Sequence, residues 1–136
     1  MRFTQFSADA NVNARISEQI RQREEELVEV ALKLAKARGK RKDSKERQLR
    51  NVQQVAEQAS SFRVVELFMR YQAARGEIEK DWAEKMIQEL QGLNEIATAI
   101  ARAVGVQDKS AIRQIHVELV ALTLGYAVRW HVWQVK

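Results

Sequence analysis

The chain has 136 residues, 46% hydrophobic and 30% charged, enough to fill one core and solvate one surface. It has no Cys, which excludes disulfides and thiolate-held metals, and no Pro. Its net charge of +5 is concentrated: residues 33–50, KLAKARGKRKDSKERQLR, hold nine Lys/Arg against two acids, a local +7 that leaves −2 for the rest.

Residues 1–12 carry no apolar leader and read as an irregular or flexible arm on a single domain, 1–136. No stretch approaches the ~18 apolar residues of a membrane span. Together with the absence of Cys, this leads to the expectation of a cytoplasmic protein with no membrane partner. Five Gly and no Pro leave few strand or hairpin signals. The expected fold class is therefore all-α, a compact bundle of about five mostly antiparallel helices ending in a long apolar one.

A first helix is expected over residues 13–38. Ile16, Ile20, Leu27, Val30, Ala31 and Leu34 recur at spacings of three and four, with one gap at Arg23. Glu24, Glu25, Glu26 and Glu29 precede Lys33, Lys36 and Arg38, an order that complements the helix dipole. Gly39 ends it, residues 39–42 form a loop, and Asp43 or Ser44 caps a second helix with Leu49, Val52, Val55, Ala56 and Ala59 on one side. Ser60 and Ser61 mark a turn before a third helix over 62–75.

Gly76 and Gly105 end helices as left-handed caps. Between them Trp82, Met86, Leu90, Leu93, Ala97, Ile100 and Val104 form one stripe, with Gly92 as a potential kink. Asp108 or Ser110 caps the last helix. There Ile112, Ile115, Leu119, Leu122, Tyr126 and Trp133 make a near-heptad seam with Arg129 in one slot. Val117, Val120, Leu124 and Val128 lie off that seam, so this helix is expected at the centre or at an interface. Trp82, Trp130 and Trp133 all occupy helix-packing positions, so a Trp133→Ala change is expected to cost as much as a core truncation.

No catalytic constellation presents itself. His116 and His131 are fifteen residues apart on one helix, roughly four turns, too far to share a metal. Adjacent carboxylates such as Glu24, Glu25 and Glu26 point to different sides of a helix. No glycine-rich phosphate loop is present, and Ser60 and Ser61 lack a partner that would make either a nucleophile. The chain is expected not to be an enzyme and to use no cofactor or metal. A concentrated basic run is instead the electrostatic footprint of a polyanion partner. The candidate nucleic-acid contacts are Lys36, Arg38, Lys40, Arg41, Lys42, Lys45, Arg47, Arg50, Arg70 and Arg75, with Arg63 sharing a face with Arg70. A generic nucleic-acid-binding helical protein and a helical adaptor for another protein are the alternative readings.

Residues 47–76, RQLRNVQQVAEQASSFRVVELFMRYQAARG, resemble the central segment of the small subunit of type III CRISPR–Cas effector complexes in its Csm-type form. The helix start ERQLRN at 46–51 is similar to that family's S/T-x-Q-[IL]-R pattern, and Tyr71 to Arg75 to its Y-x-x-x-R pattern. The last helix, ELVALTLGYAVRWHVW at 118–133, sets aromatics beside a basic residue as the family does. The chain departs from the pattern at Lys45-Glu46-Arg47 and at the aromatic ending, which leaves the Cmr-type small subunit open. The resemblance implies a non-catalytic antiviral-defence subunit of a prokaryotic RNA-guided complex. Several copies would stack head to tail along guide RNA and target RNA, beside other subunits of the complex. It points to Arg50 and Arg75 as backbone contacts. It also suits acids Glu77, Glu79, Asp81 and Glu84 on the surface opposite the basic run.

Overall fold

The computed structural model describes residues 6–36 and 45–135. Among them the chain forms seven α-helices: α1 (Ala10–Gln22), α2 (Glu24–Lys36), α3 (Lys45–Gln58), α4 (Phe62–Ala74), α5 (Lys80–Gly92), α6 (Asn94–Ala103) and α7 (Lys109–Val135). The all-α bundle is as expected. Arg38, Lys40, Arg41 and Lys42, with the Gly39 stop and the Asp43 or Ser44 cap, lie outside the described residues.

The count exceeds five because two long periodic stretches each divide. The first divides at Arg23, whose φ of −100° and ψ of 5° leave helical values. The apolar pattern skips at that point, and the two halves bury their faces on different partners, α1 against α6 and α2 against α7. The second divides at Leu93, directly after Gly92. The first helix also starts earlier than expected, at Ala10. The Asp9 carboxylate accepts the amides of Asn11 and Val12. The Asn13 side chain accepts the amides of Phe6 and Ser7 at 2.9 and 2.8 Å, and Phe6 is buried, so these two residues are tied to the start of α1.

The glycine stops behave as expected. Gly76 and Gly105 have φ of +79° and +77°. The Glu77 amide donates to Gln72 O at 2.9 Å and the Gly76 amide to Ala73 O at 3.0 Å; Val106 to Ala101 O and Gly105 to Arg102 O repeat the pattern. These are Schellman closures, which only a residue tolerant of positive φ completes without strain. Asp108, not Ser110, caps α7: its carboxylate accepts the Ser110 amide at 3.1 Å.

α7 organises the rest. Ile115 to Ala121 are seven consecutive buried residues, which at 100° each cover the whole circumference of the helix. It is not simply an apolar rod, because His116, Glu118, Thr123 and His131 are among its buried residues. Helices α2, α3, α4 and α6 pack around it. α2 runs parallel to it: the charge of Glu24 acts on Tyr126, and the Trp130 Nε1–H donates to Val28 O at 3.1 Å. α3 runs antiparallel: Lys45 and Glu46 act on His131, while Gly125 lies against Gln53. The Phe62 ring at the start of α4 then meets His116, with centroids 5.1 Å apart.

This threading gathers five helix ends at one pole: the ends of α2 and α7, the starts of α3 and α5, and the end of α4 just before α5. A clamp holds the pole together. The last carbonyls of α2 accept two side chains, Leu34 O from Trp82 Nε1 at 3.5 Å and Ala35 O from Lys45 Nζ at 2.6 Å. The same ammonium sits 5.5 Å from the Trp82 ring centroid. A cation at a helix C-terminus and over an aromatic face is stabilising on both counts. Truncating Lys45 to Ala leaves Ala35 O without that donor and should cost about 2 kcal/mol. Thermal unfolding should register a fall of several degrees for that variant and under about one degree for the exposed Arg47→Ala.

Candidate nucleic-acid interface

The candidate cations divide by what their side chains touch. Lys45 is 6% exposed and is spent on the clamp. It is thereby removed from the list of phosphate contacts, a correction that the charge count alone could not supply. Arg70 is exposed but committed: its guanidinium donates to Glu66 at 2.9 Å and to Glu84 at 2.5 Å, bridging α4 to α5. Arg63 joins it on Glu66 at 3.0 Å. The Arg70 hydrogen bond is the main cause holding the Glu66 carboxyl below its ordinary range.

Lys36, Arg47, Arg50 and Arg75 present exposed side chains. Arg50 reaches Glu46 at 3.5 Å across one turn, a surface pair of small worth. In the 46–51 stretch, Gln48 and Leu49 are buried and Arg47 and Arg50 point outward, so packing residues alternate with solvent-facing cations along α3. Arg75 closes α4 with its guanidinium 5.4 Å from the exposed Tyr71 ring, which orients the cation at the surface. The end of α4 and the start of α5 lie at the same pole as the start of α3, because Trp82 packs on Lys45. Lys36, Arg47, Arg50 and Arg75 therefore border the pole at which residues 37–44, with four more Lys/Arg, are joined to the fold.

The acids do not lie on an opposite surface. Glu84 is bonded to Arg70, and Asp81 is in the first turn of α5 beside Trp82. The hairpin of α4 and α5 turns at residues 75–79, so its acids are delivered to the basic pole and not away from it. Among the described residues, the pole is bordered by side chains of both charges.

Sequence spacing missed two features. Trp133 is 75% exposed, not packed. The seam to which it was assigned runs off the end of the bundle, where Arg129 is also exposed, while Val117, Val120, Leu124 and Val128 off that seam are buried. The outer face of α4 exposes Val64, Leu67 and Tyr71 at spacings of three and four, with Leu67 70% exposed. An unpartnered stripe of this kind follows from where α3 and α5 sit, which periodicity cannot state.

An open groove of about 600 Å3 between α4, α5 and α7 is lined by Ser61, Glu66, Arg113 and His116 among others. The His116 Nε2–H donates to Leu90 O at 3.0 Å, and burial pushes its pKa down. Among the described residues no three His, Cys, Asp or Glu side chains cluster as a metal site would require. No described helix is long and apolar enough to cross a membrane.

Burial first, and then the charge of Lys45, lower the pKa of His131, opposed by Glu46. Both imidazoles therefore resist protonation when folded and accept it near 6.5 when unfolded. As pH falls through 6.5 the unfolded chain binds more protons, so stability present above that value is lost below it. The Tm should fall between pH 7 and pH 5, above the range where carboxylates titrate, and His116→Gln should flatten the slope. A Tm that rose on acidification would refute this assignment.

Comparison with known protein families, curated proteins and solved structures yields no match.

Proposed function

We propose that this chain is a non-catalytic, backbone-binding subunit of a type III CRISPR RNA-guided effector complex, the small subunit that residues 47–76 resemble. Several copies would stack along guide RNA and target RNA. The observation that carries the reading is the single basic pole: the +7 run joins the fold where Lys36, Arg47, Arg50 and Arg75 are exposed, on a body that sums to −2.

Such a surface suits a protein that must grip any sequence. Lys/Arg contacts to phosphates position a strand and carry no base information, so base pairing with the guide does the reading. One subunit offers a few exposed cations among acids, so its own affinity is modest; repeated copies convert modest contacts into avid ones. Other subunits of the complex would meet the remaining surface. The α4 stripe of Val64, Leu67 and Tyr71 favours a second reading, a helical adaptor that docks a partner protein there.

Titrating single-stranded RNA of random sequence across salt separates these. Replacing Lys40, Arg41, Lys42 and Arg47 with Gln should weaken binding and lower the slope of log affinity against log salt by about 3, since each phosphate contact to a single strand contributes ~0.7. Unchanged binding by this variant would remove the pole as the interface. No RNA binding by the unaltered protein would favour the adaptor. A preference for one duplex DNA sequence would favour a generic nucleic-acid-binding protein.

A further inference from the structure

Trp133 stands at one end of an open groove of about 250 Å3 whose other lining residues are Val28, Tyr126, Arg129 and Trp130. Its walls are held in place. Trp130 Nε1 donates to Val28 O at 3.1 Å, which locks one indole across the two helices. The Arg129 guanidinium lies 5.6 Å from the Tyr126 ring centroid, so cation and ring orient each other. Trp133, at 75% exposure, is the one lining aromatic whose ring is mostly open to solvent.

The groove has a direction. At its Tyr126 end lies Glu24, whose charge, after burial, helps to raise the phenol's pKa. Along α2 the stripe Val28, Leu32, Lys36 recurs at spacings of four toward the exposed Lys36, the last residue of the helix. Because α2 and α7 run parallel, Trp133 lies toward that Lys36 end. Glu24 and Arg129 thus flank the Tyr126 end of the groove, and the exposed indole lies toward the end of α2 that carries Lys36, where the basic run joins the fold.

We infer that this groove is a stacking site for one unpaired nucleobase of single-stranded RNA, with the Trp133 indole as platform and Arg129 and Lys36 meeting the flanking phosphates. The inference rests on the proposed function and adds to it that the protein touches bases as well as backbone. A flat apolar surface bordered by cations matches a flat base between anions. Every base has a π-face, so stacking keeps the indifference to sequence that such a subunit needs. Stacking one base on a protein aromatic corresponds to roughly a tenfold change in affinity.

The test compares labelled single-stranded RNA of about 12 nucleotides with a blunt RNA duplex of the same length, using the full chain and its Trp133→Ala and Trp133→Phe variants. Trp133→Ala should weaken single-strand binding roughly tenfold and leave duplex binding within about twofold, because duplex bases are already stacked. Trp133→Phe should retain most of the affinity, and the Tm of both variants should stay within about one degree, since an exposed ring is being changed. Equal single-strand affinity in Trp133→Ala, with the unaltered protein still binding, would overturn the stacking site and leave the backbone reading intact. Equal losses on single strand and duplex would also overturn it. So would a Trp133→Ala protein that lost self-association in sedimentation while keeping its RNA affinity, which would assign the groove to a second copy. Failure of the unaltered protein to bind either RNA at low salt would overturn the proposed function and this site with it.

Discussion

A helix buried on every side has to be enclosed, and α7 from Ile115 to Ala121 is such a helix. Enclosure dictates the threading: α2 parallel to it, α3 antiparallel, α6 returning beside it through the Gly105 turn, and α4 touching it near His116. A chain of this size buries roughly two-thirds of its unfolded surface, and the central helix places a large share of its side chains in that interior. The polar groups that α7 carries inward are placed to suit. His116 reaches the Leu90 carbonyl, which also accepts the Leu93 amide at 3.2 Å where α5 gives way to α6. His131 sits beside the oppositely charged Lys45 and Glu46.

From that threading follows the convergence of helix ends at one pole, and from the convergence follows the fate of the charges. The α2 terminus brings the Leu34 and Ala35 carbonyls to this pole, and Trp82 and Lys45 donate to them. A cation from the middle of the basic run becomes part of the framework, while its neighbours Arg47 and Arg50, two and five residues on, face solvent. The run is therefore anchored at its centre by one of its own members. On α4 the same logic works through Glu66, which draws Arg63 and Arg70 onto one carboxylate and ties Arg70 onward to Glu84.

On the proposed reading this division has a use. Cations held by carboxylates or carbonyls give the pole a fixed shape, and exposed ones give it affinity. Acids at the rim keep a single subunit from binding polyanions too tightly, so that binding depends on the assembled array. The aromatic groove between α2 and α7 would then supply the contact that charge alone cannot, one to a base.

Features set by neighbours along the chain were legible in the amino-acid sequence. The helical class, the stops at Gly76 and Gly105, a cap at Asp108 or Ser110, the kink at Gly92 and the buried stripe from Trp82 to Val104 rest on backbone stereochemistry and 3.6-residue periodicity, which act within a few residues. The gap at Arg23 was visible as a skipped apolar position, though not as a helix boundary, because the break needs α6 and α7 to claim the two halves separately. The charge of the 33–50 run was plain, but which of its cations would be buried was not. Lys45 and Arg47 are alike in composition and differ only in what stands opposite them, the end of α2 or water. Trp133 and Trp82 likewise share helix-packing spacing. One is enclosed by α2 and α3 and the other lies where the bundle stops. Local sequence determined which segments are helical and where they end; tertiary structure alone decided which side chains remain at the surface, because exposure is a property of the surrounding elements and not of the residue.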